Sequence, residues 1–250
     1  MLVKNKMETK YLLSYLKMRK IIFFQILILI LIIFIFEFFD LDFKFQNLFF
    51  NQSTKKWLLN KEENKILHLI FYDGIKILII LFGVVNLGIF IFSYFKAKLI
   101  KFRFECLYIV LCLAVIPSVI ALIKSYSNVY CPYELEIYNG DKPYIKTFEK
   151  MSAWQKRKTT DRGKGYPAGH ASGGFALLCL FYVFKKRKHQ ILGLFIGLVF
   201  GWIMGIYQVL RGAHFLSHNF MTWLIAIISM HFIYILLANY FWAKKYDAKN

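Results

Sequence analysis

The stretch YQVLRGAHFLSHNFMT, residues 207–222, sets one arginine and two histidines between two apolar runs, residues 191–207 and 220–242. Ionisable side chains at a membrane boundary are costly to keep there, so their presence points to a working site. Read as a continuous helix, the stretch places Arg211, His214 and His218 at i, i+3 and i+7, on one face. Two more polar islands adjoin apolar runs upstream. Tyr166-Pro-Ala-Gly-His170 opens one, and Lys124 closes another.

Working outward, the 250 residues are 58% hydrophobic and 19% aromatic, with mean hydropathy +0.49. That composition excludes an ordinary soluble fold and reads as one polytopic membrane domain, residues 1–250. Runs close to the roughly 20 residues needed to span a bilayer fall at 21–38, 74–95, 104–123, 171–184, 190–210 and 219–242. The fourth is short and begins with Gly173 and Gly174, yet one flank is polar and the other strongly basic. The expected architecture is all-α, a six-transmembrane-helix bundle with its site at one membrane face.

A net charge of +19 invites a nucleic-acid reading, but lysine and arginine also collect in short cytoplasmic loops. They do so here at Lys4, Lys6, Lys10, Lys17, Arg19 and Lys20, at Lys96, Lys98, Lys101 and Arg103, at residues 185–188, and at Lys244, Lys245 and Lys249. Six crossings put all four clusters on one side, so both termini are expected to be cytoplasmic, residues 1–20 forming a basic segment there. Segments 37–73, 124–170 and 211–218 then face outward, to the periplasm if the membrane is a bacterial inner membrane. Segment 21–36 lacks a small-residue cleavage site and reads as an uncleaved first helix. Cys106, Cys112 and Cys179 fall inside predicted helices and leave Cys131 without an evident disulfide partner. Outside the membrane, 37–73 mixes acidic and aromatic residues with no readable motif. The segment 124–170 carries Lys156, Arg157, Lys158, Arg162 and Lys164, a solvated face or an attraction for anionic head groups.

Taken together, Lys124, Gly169-His170, and Arg211, His214 and His218 suit a phosphate ester. A phosphate dianion needs fixed positive charge; arginine grips two of its oxygens with a planar fork, and lysine adds a point charge. Pro167-Ala168-Gly169-His170 leads into a helix start, where backbone N–H groups from Ala168 onward can donate to phosphate and Gly169 permits close approach. One histidine can attack phosphorus while another protonates the leaving oxygen. This chemistry requires no metal and no cofactor.

At these residues the chain resembles the type-2 phosphatidic acid phosphatase family, whose pattern is K-x6-R-P, then P-S-G-H, then S-R-x5-H-x3-D on a six-helix core. The first element reads Lys124-SYSNVY-Cys131-Pro132, the second Pro167-Ala168-Gly169-His170, and the third Gln208-VLRGA-His214-FLS-His218. The resemblance covers roughly 100–242, the expected phosphatase core. It implies His214 as nucleophile, His170 as general acid, and His218 in the place of the aspartate that orients the nucleophile. Lys124, Arg211, Gly169, Ala168 and Gln208 become the phosphate-binding set. Cys131 and Gln208 stand where the pattern has arginine, and Arg211, three residues on, is placed to compensate for Gln208. A register shifted by one turn would make His218 the nucleophile and Thr222 its partner. The implied substrate is a lipid phosphate or diphosphate such as lipid A, undecaprenyl diphosphate or phosphatidylglycerol phosphate, with the bilayer and anionic lipid as partners and no nucleic acid.

Other readings compete. His214-x3-His218 has metal-ligand spacing, which suits a zinc-dependent hydrolase completed by His170 or Asp161, but no adjacent glutamate supplies a general base. Ser172 hints at an intramembrane serine protease, yet the G-x-S-x-G elbow is missing. A transporter accounts for the hydropathy but not for cations gathered at one surface. His231, isolated in the last run, reads as a packed core histidine.

Overall fold

The computed structural model describes residues 20, 23–28, 30–32, 34–60, 63–146, 152 and 161–247. The basic segment up to Arg19, the Lys156–Lys158 run and Lys249 lie outside these. Among the described residues seven α-helices and a two-stranded hairpin follow in order, short 3₁₀ turns aside: α1 (Phe23–Phe39), α2 (Leu41–Gln46), β1 (Phe50–Asn51), β2 (Lys56–Trp57), α3 (Lys65–Phe92), α4 (Arg103–Ser127), α5 (Ser172–Val183), α6 (Arg187–Leu210) and α7 (Leu216–Asp247). Among the described residues four helical stretches are long and apolar enough to cross a membrane: Lys65–Phe92, Ala97–Glu134, Arg187–Leu210 and Leu216–Phe241. A fifth is added if α1 and its continuation to Phe49, bent by 72°, form one span. The bend falls at Asp40, whose φ of 49° is left-handed, a conformation that aspartate tolerates better than most residues.

The fourth expected span, 171–184, does not emerge as a full-length helix. α5 rises only about 18 Å against a hydrocarbon core of about 30 Å. Its middle is a 3₁₀ turn, Leu177–Cys179, and residues 174–180 are all buried. Protein rather than lipid therefore surrounds its backbone. The surrounding core is made by Tyr108, Ile116 and Ile120 of α4, Met204 of α6, and Ala226 and Met230 of α7, and the Tyr108 hydroxyl donates to the Met230 carbonyl at 3.0 Å.

α5 and α6 meet along a stripe of glycines spaced by four. A Cβ at Gly201 would lie 2.2 Å from the Phe175 ring, one at Gly197 2.4 Å from the Leu178 nitrogen, and one at Gly193 2.8 Å from Leu180. As the α6 number falls the α5 number rises, so the two helices run antiparallel. In lipid the hydrophobic effect does not drive helices together, and close backbone approach at small residues replaces it. The same stripe reaches Gly205, where the Asn219 side chain of α7 fills the missing Cβ position.

Residues 41–60 wrap the far end of α6 and the start of α7. The last carbonyls of a helix have no partner within it, and here they find partners in this segment. Gln46 Nε2 donates to the Val209 carbonyl at 2.9 Å, and the Leu59 N–H donates to that of Leu210 at 3.2 Å. Asp42 caps α7 from outside, accepting from the Ser217 N–H at 3.0 Å and from its hydroxyl at 2.5 Å. The Trp57 ring closes over Gly212, and Phe50 and Tyr138 pack edge-to-face beneath it.

Candidate active site

The three polar islands meet at one end of the bundle. Lys124 ends α4, and its Nζ lies 3.7 Å from where a Cβ of Gly169 would sit. His170 precedes α5, and its Nδ1 lies 2.8 Å from Nε2 of His214. Ring centroids of His214 and His218 are 5.8 Å apart, and His218 meets the Tyr166 ring edge-to-face at 5.1 Å. Gln208 and Arg211 lie together, Arg211 Nη1 donating to Gln208 Oε1 at 3.2 Å.

The segment from 211 to 218 is not the continuous helix expected from its spacing. α6 stops at Leu210, and Gly212 takes φ +69°, a value that favours glycine. Arg211 and His214 therefore sit on a turn, and only His218 is helical, in the first turn of α7. This turn swings His214 back across the end of α6 onto His170. Nor is the Ala168 N–H free, since it donates to the His218 carbonyl at 3.1 Å. The Ala168 carbonyl in turn accepts from Thr222 Oγ1 at 2.9 Å. These two bonds lock the Pro167–His170 loop onto α7. Gly169 turns its carbonyl to Ser172, whose hydroxyl donates to it at 2.7 Å.

Burial and local charge make both imidazoles on the loops weak bases. Burial pushes His170 down to about 4, helped by the positive field of Lys124, Arg211, His68 and Lys76. His214, fully buried, is held well below its ordinary value by burial first and then by His170, His218 and Lys124. Desolvation and like charge both disfavour an imidazolium. At neutral pH the pair is uncharged, and one ring donates its proton to the other. His214 Nδ1 is buried without a hydrogen-bond partner among the described residues. Among the same residues no group of three or more His, Cys, Asp or Glu is placed to hold a metal ion.

Three residues that carry no motif join the site from α3. Leu69–Gly74 forms a π-turn, the widened turn often found at functional positions. His68 Nδ1 lies 3.2 Å from the Tyr207 hydroxyl and 3.4 Å from Arg211 Nη1. The Tyr72 ring lies 5.1 Å from that of His170, and Lys76 Nζ lies 6.0 Å from the Tyr72 ring. The readable sign was the spacing of four through 68, 72 and 76, at the membrane end shared with Lys124. Asp42 had no sequence sign. By contrast His231 is a core residue, hydrogen-bonded to the Ile227 carbonyl at 2.7 Å, and all four cysteines are free.

Residues 105–242 match the PAP2 superfamily. Neither a curated protein nor a solved structure matches the chain. The match spans more than half of the chain and includes Lys124, His170, Arg211, His214 and His218, so the chain belongs to the PAP2 superfamily, whose members are phosphatases.

Proposed function

From that membership we propose that the protein is a metal-independent phosphatase of lipid phosphates or diphosphates, acting at the extracytoplasmic face through a phosphohistidine on His214. The observation that carries the reading is the His170 Nδ1–His214 Nε2 contact of 2.8 Å, placed between Lys124 and Arg211. Phosphate enters between the two rings and takes His170 away from His214. The freed His214 Nε2 lone pair forms a bond to phosphorus as the bond to the leaving oxygen breaks, and His170 gives that oxygen a proton. Water then gives a proton to His170 and attacks phosphorus, and the P–N bond breaks to return His214 and release phosphate.

Burial first, and the cations around it second, keep His170 neutral. A dianion beside His170 offsets their field and raises its proton affinity. The acid is thereby armed by the substrate it serves. Lys124 and Arg211 hold the phosphoryl oxygens beside Gly169, and Gln208 fixes the Arg211 fork. His218 orients His214, and Ala168 serves by anchoring the loop rather than through its own N–H.

We assign residues 1–250 to a single membrane domain with a basic cytoplasmic N-terminal segment up to residue 20 and a phosphatase core at 100–242. Six crossings follow if α1 and α5 each count as one, and they keep the basic loops opposite the site. The substrate is a lipid A, undecaprenyl diphosphate or phosphatidylglycerol phosphate type of molecule, presented by a bacterial inner membrane.

Phosphate release by the purified protein across a panel of these lipids tests the reading. Vanadate, a mimic of the five-coordinate transition state, is expected to inhibit, and EDTA to leave the rate unchanged. Loss of activity on chelation with recovery on adding zinc would replace this mechanism with the His214–His218 metal site. A tag at Asn250 should resist protease in intact cells while one near Asp141 is cut after outer-membrane permeabilisation; the reverse pattern would move the site to the inner leaflet.

A further inference from the structure

A cavity of about 360 Å³ adjoins the histidine pair between α3, α4 and α5. Gly169, His170, Tyr72 and Lys76 line it, and Pro117 and Leu113 lie deeper, about two and three helical turns along α4 from Lys124. Among the described residues Lys76 is the one lysine or arginine in its lining. It is exposed and opens the apolar part of α3, between Ile75 and the run Ile77-Leu78-Ile79. Among the described residues no carboxylate pairs with it, the nearby Asp73 facing His68 at 3.5 Å instead. A lysine at the membrane boundary, without a carboxylate partner and lining a cavity shared with His170, is placed to receive an anion.

The charge balance of the pocket calls for such a residue. Cys131 and Gln208 are neutral where the resembled pattern has arginine. The Arg211 guanidinium already bonds Gln208, and the same Nη1 faces His68. Lys124 approaches Gly169 from α4 and Arg211 comes from the turn after α6, so a dianion held by these two would still have no cation from the α3 side. We infer that Lys76 is a phosphate-binding residue, supplying from α3, outside the matched residues 105–242, the cation on the side of the pocket facing Lys124. The inference rests on the phosphatase reading for the identity of the anion. The position of Lys76 within the positive field acting on His170 agrees with it.

Binding of inorganic phosphate to the full-length, detergent-solubilised protein, followed by titration calorimetry, tests this without turnover. Lys76→Gln should raise the Kd about tenfold, the worth of one charge-assisted contact. Lys76→Arg should stay within about threefold of the parent, since it keeps the charge and a donor. Lys101→Gln, at the basic end of the bundle, should leave the Kd unchanged. Melting curves show that each variant is folded. Equal binding by Lys76→Gln and the parent, equal weakening by Lys101→Gln, or no binding by the parent would overturn the assignment. Phosphate release measured alongside separates the two readings: a protein that binds phosphate through Lys76 yet hydrolyses no ester sinks the phosphatase and leaves the anion site.

Discussion

Two regions of this molecule are held together by opposite means. Where α5 meets α6, side chains are removed: Gly193, Gly197 and Gly201 let backbone touch backbone. Where residues 41–60 meet the end of α6, side chains are added until the polar groups are matched, Gln46 to Val209 and Asp42 to Ser217. The first junction lies among apolar residues, where shape alone decides packing. The second lies where two helix ends expose groups that must be bonded. The site stands between them, with His170 carried by the glycine-packed side and His214 on the turn that the polar clamp secures.

The sharpest way to break this comparison is to remove chemistry while leaving both junctions intact. His214→Ala should lower turnover by at least about a thousandfold and leave no acid-labile phosphoenzyme. His218→Ala should retain a slow rate, and His218→Asp should be tolerated or faster, since a carboxylate stabilises an imidazolium better than imidazole does. A dead His218→Ala beside a partly active His214→Ala would shift the motif by one turn and make His218 the nucleophile.

The glycine side should fail next. A branched side chain at Gly197 drives into the Leu178 backbone, which cannot move aside as a side-chain tip can. Gly197→Val should therefore lose roughly 3 kcal/mol or more, the upper range of overpacking, read as a lower melting temperature in detergent. An unchanged melting point would mean that α5 and α6 are not held by close approach.

Acidity comes third. His170 titrates near 6.5 when unfolded and about 4 when folded, so the unfolded chain takes its proton first as pH falls. The neutral ring's contribution is present above pH 6.5 and is lost between 6.5 and 4, to a limit of about 3 kcal/mol. His170→Asn should flatten that part of the stability profile. In the same window phosphate binding should take up a proton, seen as a buffer-dependent calorimetric enthalpy. A buffer-independent enthalpy would show that phosphate does not reach His170.

The polar clamp should give the smallest effect. Asp42→Ala removes the cap of α7 and should cost about 1–2 kcal/mol, with kcat falling more than KM rises because Ser217 adjoins His218. Asp42→Asn should recover most of it. Loss of stability without any change in kcat would separate the clamp from catalysis.

What could be read from the sequence follows the same division. The islands at Lys124, His170 and His214 declare themselves because charge inside apolar runs is rare, and the order of the runs brings them to one end. The glycine stripe of α6 is periodic and equally visible. α5, short already in the sequence, reads as a span from its polar and basic flanks, because hydropathy does not separate a lipid-facing helix from one enclosed by protein. The break at Gly212 was hidden, since its neighbours kept helical spacing. Asp42 and Gln46 left no trace because a side chain that caps a distant helix has no period and no local partner. His68, Tyr72 and Lys76 fall between these cases, repeating by four but set in a segment without a motif.

The clamp also orders events in time. Gln46 reaches Val209 across 163 residues, and Asp42 reaches Ser217 across 175. A ribosome makes the first member of each pair well before the second. Until then the early segment waits without partners while the helices between are inserted. The turn bearing His214 is thus secured only after the helices between have been made, and the site and its clamp are completed together.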